Sequence, residues 1–346
     1  MSSSSEKSKS AKPLFNAQVL VLTATIWGVM ALLFFLLFSV SLPGEGRPLW
    51  YSIGTYILEQ GAFLFAAFVC LRNGVSSQIV SGRNVWLNIG AGMACYFIGN
   101  LLFGLWELYW KLDVAVSPGD LFYILSYIFM SIGMFLAVKS RRLNLEWWQW
   151  GVTVVIATIG IAFAVWLSYP FEMGTTPEPT PSPTVQAEAS PSPASPSPAA
   201  SPQNGATPEA APAEESAAAD TDATSETEPP GWVLALETQL DPLGPPLNLA
   251  YVVLDVALLI IATLLLLAFW GGRFSQSWRM IAAAAFSLYI ADMWFKYADR
   301  TIPDYESGDL LEVFWIFSGI LFAIGAILEF DVSTRASRRG GRRRST

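Results

Sequence analysis

Long apolar runs separated by short polar stretches dominate the chain. Eight of these runs reach the roughly 20 residues that a helix needs to cross a hydrocarbon core about 30 Å thick: roughly 17–40, 50–71, 85–107, 119–138, 147–168, 247–270, 278–298 and 309–330. The pattern predicts an all-α integral membrane protein with eight transmembrane helices. The first run is too long for the core of a signal peptide, and no small-residue cleavage site follows it, so it reads as a span.

Apolar residues make up 53% of the chain and charged ones 14%, well below the roughly 25% of a soluble domain. Many of the Trp and Tyr residues fall at the expected span ends, among them Trp50, Trp86, Trp110, Trp147, Tyr169, Trp270 and Trp278, as interfacial belts require. With the N-terminus inside, 16 of the 20 Lys and Arg residues face the cytoplasm, leaving Arg47, Lys111, Lys296 and Arg300 outside. That bias orients both termini to the cytoplasm, and an even number of spans follows. The two cysteines, Cys70 and Cys95, sit at different depths and read as packing residues.

The formal net charge of −8 is unevenly spread. Residues 171–246 hold twelve Asp or Glu and no Lys or Arg. Within them, 175–230 is rich in Pro, Ala, Ser, Thr and Glu, a composition that buries too little apolar surface to offset its ordering entropy. The expected organisation is a cytoplasmic N-terminal tail (1–16), a first membrane bundle (17–170), a disordered external linker (171–246) and three further spans (247–330). A basic cytoplasmic tail (331–346) completes it. Toward the end of the linker, Gly231–Leu247 reads as a short helix on the outer face.

The spans also look duplicated. Trp86 precedes Asn100 by fourteen residues, and Trp278 precedes Asp292 by the same interval. Phe97 and Tyr289 match three residues before those polar positions, Glu59 matches Asp255, and Gly119-Asp120-Leu121 matches Gly308-Asp309-Leu310. Matching helices are four spans apart and run the same way, so the pattern predicts a 4+4 parallel internal repeat.

Ionisable groups inside a bilayer are costly and usually face a bundle interior or a cavity. Glu59 falls near mid-membrane, with Asn100, Asp255 and Asp292 in the outer half. The sharper expectation is an outward-facing polar pocket lined by Glu59, Asn100, Asp255, Asp292 and Lys296, with Tyr96, Tyr127 and Tyr289 among its walls. The plainer expectation is polar glue between helices. Glu107–Lys111 and Asp292–Lys296 have the acid-first spacing of intrahelical pairs. Asp120 and Asp309, each after a glycine at a span start, read as helix caps.

No histidine is present, which removes the commonest general base, zinc ligand and haem ligand. Phosphate-loop and nucleophile-elbow motifs are also missing. No catalytic residue, metal site or cofactor is expected, and the chain reads as non-enzymatic. Membrane lipid is an expected partner and nucleic acid is not.

The run Ser117-Pro118-Gly119-Asp120-Leu121-Phe122-Tyr123-Ile124-Leu125-Ser126-Tyr127 carries a Pro-x-Asp-x-x-Tyr-x-x-x-Tyr pattern. It resembles the multi-span sensory regions that precede bacterial diguanylate cyclase and histidine kinase domains, and small uncharacterised membrane proteins of cyanobacteria. The second copy keeps Asp309 but has Ser307 for the proline and Glu312 for the tyrosine. The resemblance implies a sensor-like or accessory module in a bacterial inner membrane, or a cyanobacterial thylakoid. Only sixteen residues follow Phe330, so its signal would pass to another membrane or signalling protein. A small-solute or ion transporter using the intramembrane carboxylates is the alternative, although no span carries the internal proline common in such helices.

Overall fold

The computed structural model describes residues 16–40, 46–112, 116–140, 146–168, 229–269, 275–302 and 305–343. Most of the expected linker lies outside them. So do Lys7, Lys9, Lys12, Tyr169, Trp270, Arg141, Arg142 and Arg273. Among the described residues there is no β-strand, and nine α-helices account for most of those residues. They are α1 (Ala17–Phe38), α2 (Leu49–Val75), α3 (Arg83–Gly104), α4 (Gly119–Ser140), α5 (Trp147–Ser168), α6 (Gly231–Leu240), α7 (Gly244–Ala268), α8 (Ser275–Thr301) and α9 (Val313–Arg343).

The helix ends follow local chemistry. Asn16 caps α1, its side chain accepting from the Gln18 N–H at 3.3 Å. The α7 helix starts before the apolar run does, because Pro245 and Pro246 occupy its first turn, where their missing N–H groups cost nothing. At the end of α3 the chain continues through a π turn, Leu105–Tyr109, and Lys111 then adopts a positive φ of 49°. That exit takes Lys111 off the helix, so the Glu107–Lys111 pair expected from spacing does not form. The α9 helix continues through the stretch expected as a separate basic tail, up to Arg343. Arginine is a good helix former, and an ion pair between Asp331 and Arg335 at 2.9 Å supports that turn.

Seven helical stretches combine the length and apolarity needed to cross a membrane: α1, α2, α3 with its π turn, α4, α5, the continuous run from α6 through α7, and α9. The α8 helix is equally long at 27 residues, about 40 Å. Its charged residues, including Arg279, Asp292, Lys296, Asp299 and Arg300, set it apart. It is nevertheless among the most enclosed helices, with Trp278, Ile281, Ala284, Ala285, Leu288 and Ala291 fully buried.

Six helices form a closed ring in the order α2, α3, α4, α7, α8, α9, with α9 packed back on α2. The α1 helix lies outside against α9 and α2, and α5 lies outside against α7 and α8. Both outer helices present apolar side chains such as Leu22, Leu33, Val154 and Ile159, as a lipid-facing surface should. Small residues permit the tightest crossing, α3 on α4. A Cβ on Gly119 would sit 2.7 Å from the Gly99 carbonyl, and one on Gly133 would sit 2.9 Å from the Val85 carbonyl, the close backbone approach typical of membrane helices.

The antiparallel order gives the ring two ends. Arg72, Arg83, Lys139 and Arg335 mark a basic end; Glu107, Asp120, Glu306 and Asp309 mark an acidic end. Near the basic end the ring interior is filled by the fully buried side chains of Phe63, Trp86, Ile89, Met93, Trp278, Ile281 and Phe322. Trp86 and Trp278 meet there with ring centroids 5.6 Å apart. At the acidic end α6 closes on the ring through Trp232, whose ring lies 5.7 Å from that of Trp110.

Candidate functional site

Toward the acidic end, the ring interior opens into a cavity of about 850 Å³. Each ring helix contributes to its wall: Thr55, Tyr56 and Glu59 from α2, Tyr96, Asn100 and Phe103 from α3, Asp120, Tyr123 and Tyr127 from α4. Leu247, Asn248 and Tyr251 come from α7, Asp292 and Lys296 from α8, and Trp315 from α9.

One polar network stitches four helices together. Lys296 Nζ donates to Asp255 Oδ2 at 2.6 Å, and the Tyr127 hydroxyl contacts Asp255 Oδ1 at 2.7 Å and Asp292 Oδ2. Trp315 Nε1 completes the set by donating to Asp292 Oδ1 at 2.8 Å. A phenol carries one hydrogen, so Tyr127 donates to one carboxyl at a time. Its second contact is satisfied only when that carboxyl itself carries a proton. Lys296 therefore serves α7 across the interface, and not the Asp292 four residues before it. Asp255, only 1% exposed, offers the dry acceptor for which a Lys head group gives up water.

A second group lies across the cavity. The Tyr123 hydroxyl donates to Asn100 Oδ1 at 2.5 Å, and Tyr96 stacks on Phe63 with centroids 3.9 Å apart. Glu59 shares this part of the wall with Tyr56, Tyr96 and Tyr123. The Asn100 amide nitrogen turns toward the Glu59 carboxyl without reaching hydrogen-bond geometry. Among the described residues, no Lys or Arg forms an ion pair with Glu59.

The mouth is built from carboxylates held by hydroxyls. The Tyr56 hydroxyl donates to Glu107 at 2.5 Å, and that of Tyr251 donates to Asp120 Oδ1 at 2.6 Å. Asp120 is not the cap itself. Ser117 Oγ accepts from the Gly119 N–H at 3.1 Å, while Asp120 Oδ2 accepts from the Ser117 N–H at 2.7 Å, a reciprocal capping box with Ser117 as the cap. Asp309 departs further from the expected role. It precedes the short 3₁₀ turn Leu310–Glu312 but makes no side-chain cap bond, because the Arg47 guanidinium takes its carboxylate. Glu312 reaches back instead and accepts from the Gly308 N–H at 2.6 Å and from the Tyr305 hydroxyl. Burial, reinforced by the Glu312 charge, pushes the Tyr305 phenol above its usual range.

Of the residues expected from the sequence, Glu59, Asn100, Asp292, Lys296, Tyr96 and Tyr127 line one cavity. Asp255 is not part of the wall; it sits behind it, bonded to Tyr127 and Lys296. Tyr289 does not join them. Its hydroxyl donates to the Gly160 carbonyl at 3.1 Å and ties α8 to α5. Trp315 and Glu312 were not expected: within an apolar run, an indole that holds a carboxylate looks like any interfacial ring. Among the described residues no group of three His, Cys, Asp or Glu side chains is arranged to hold a metal ion. No family model, curated protein or solved structure matches the chain.

Proposed function

We propose that the chain is a non-enzymatic, eight-span membrane module, sensor-like or accessory, that holds a small polar ligand in this cavity and acts through a partner protein. The observation that carries the reading is the convergence of Glu59, Asn100, Asp292 and Lys296, from three helices far apart in sequence, on one space of about 850 Å³. That is within the range of small-molecule sites, and polar glue alone would leave such groups at separate helix interfaces. The α8 helix is the eighth span, its charges sheltered inside the ring as intramembrane charges must be. The basic bias then puts both termini in the cytoplasm and opens the cavity outward.

A 4+4 duplication is supported by the ring order, in which α2–α3–α4 and α7–α8–α9 follow in sequence, and by the contact of the matching Trp86 and Trp278. The likeness to bacterial sensory membrane regions accords with a cavity that binds without a catalytic set. Transport is less favoured: a layer of fully buried side chains that includes Trp86 and Trp278 fills the ring interior near the basic end.

Native mass spectrometry of the full chain purified from its own membrane tests the reading. Wild type should retain a small molecule and a co-purifying protein. Asn248→Trp, which puts a bulky ring into the exposed part of the wall, should lose the small molecule while remaining folded. Equal retention by both proteins would remove the cavity from the function.

A further inference from the structure

We infer that the cavity takes a small organic cation bearing an oxygen acceptor close to its charge, with Glu59 facing the cation and the Asn100 amide donating to the oxygen. The inference rests on the ligand-site reading above and adds the chemistry of the ligand. Six carboxyl side chains line the cavity against two cations, Lys296 and Arg300. Both cations are engaged: Lys296 with Asp255 at 2.6 Å and Arg300 with the Leu167 carbonyl at 2.9 Å. Two of the tyrosine hydroxyls near Glu59 are engaged as well, Tyr56 on Glu107 and Tyr123 on Asn100, so those two residues offer ring surface more than free O–H donors.

Two groups stand out for a ligand. One is the Glu59 carboxylate, which forms no ion pair with Lys or Arg among the described residues and shares the cavity wall with Tyr56, Tyr96 and Tyr123. A carboxylate that shares a cavity wall with tyrosines suits an ammonium, because ring quadrupoles add to an ion pair. The other is Asn100, 4% exposed, in the cavity wall, with its Oδ1 satisfied and its Nδ2 turned toward the Glu59 carboxyl but without a hydrogen bond of good geometry. A buried amide donor is costly unless something accepts from it. An oxygen next to the ammonium would meet that need.

Calorimetric titration of the full chain in lipid nanodiscs tests this, with choline, tetramethylammonium, acetate and 3,3-dimethylbutan-1-ol, the uncharged isostere of choline, as probes. Choline should bind, and the uncharged isostere should bind about tenfold or more weakly. Glu59→Gln should erase that difference. Asn100→Ala should weaken choline toward tetramethylammonium and leave tetramethylammonium unchanged, a selectivity that a folding defect would not produce. Equal binding of choline and its isostere overturns the inference. Binding of acetate or of the isostere that Asn248→Trp abolishes would overturn the cation assignment and leave the ligand site standing. No binding by any probe to the wild type, with Asn248→Trp indistinguishable from it, would overturn both.

Discussion

Asp120 touches two elements at once: its Oδ2 closes the capping box of α4 and its Oδ1 accepts from Tyr251 of α7. Asp120→Ala should therefore lower stability by about 0.5–2 kcal/mol for the cap, and Tyr251→Phe by about 0.5–1.5 kcal/mol for the hydrogen bond alone. Thermal unfolding in a mild detergent reads both, and a double-mutant cycle should show coupling between them. A larger loss is expected at Lys296. Lys296→Met strands Asp255, 1% exposed, without its counter-charge, at a cost of about 3–5 kcal/mol. Lys296→Met combined with Asp255→Leu should recover much of that loss, because no buried charge is then left over. The acids themselves were legible in the sequence because charge is rare in such helices. Their partners were not. Spacing pairs Lys296 with Asp292 on its own helix, but the three-dimensional competition is won by Asp255 on the next one.

Among the elements, α1, α2, α4 and α5 could be read closely from hydrophobic length alone, since an apolar stretch of that length has few alternatives to a helix. The discrepancies have local causes. The α7 helix gains a first turn that includes Pro245 and Pro246, which hydrophobic length alone leaves outside the span although proline suits a first helical turn. The α3 helix ends in a π turn at Leu105–Tyr109 with no proline or glycine inside to announce it. Helix contacts were hidden for a different reason: glycines are frequent in membrane helices, and only the neighbour tells which of them matter. Gly133 lies against the α3 backbone, whereas a Cβ on Gly151 of α5 would meet nothing within 4 Å. Gly133→Leu should therefore force α3 and α4 apart and sharply reduce folded protein in the membrane. Gly151→Leu should be tolerated. Size-exclusion profiles and membrane yields of the two variants check the contrast.

For the whole molecule, the enclosed position of α8 decides the topology. If α8 spans, the number of crossings is even and both termini share a side. Reporter fusions after Thr346 and within residues 175–225 should then report opposite compartments, with the termini in the cytoplasm. The same compartment for both would reduce the count to an odd number. The ring itself was not visible in the sequence, because amphipathicity is faint where lipid and protein interior are both apolar. What the sequence did carry was the matched placing of Glu59 with Asp255 and Asn100 with Asp292. Neighbouring helices of the ring bring Glu59, Asn100 and Asp292 to one cavity wall and leave Asp255 behind it, bonded to Tyr127 and Lys296.

The central claim, that these helices enclose a ligand-accessible polar cavity and not a dry polar seam, is tested most directly by cysteine accessibility in intact membranes. With Cys70 and Cys95 replaced by serine, Thr55→Cys places a thiol in the cavity wall one turn from Glu59. Ile57→Cys places one on the outer face of the same helix, where Ile57 is 58% exposed. A membrane-impermeant cationic thiol reagent added from the side of the acidic end should modify Thr55→Cys and leave Ile57→Cys untouched. An unreactive Thr55→Cys, under conditions in which a cysteine at Asn248 in the mouth is modified, would contradict the account.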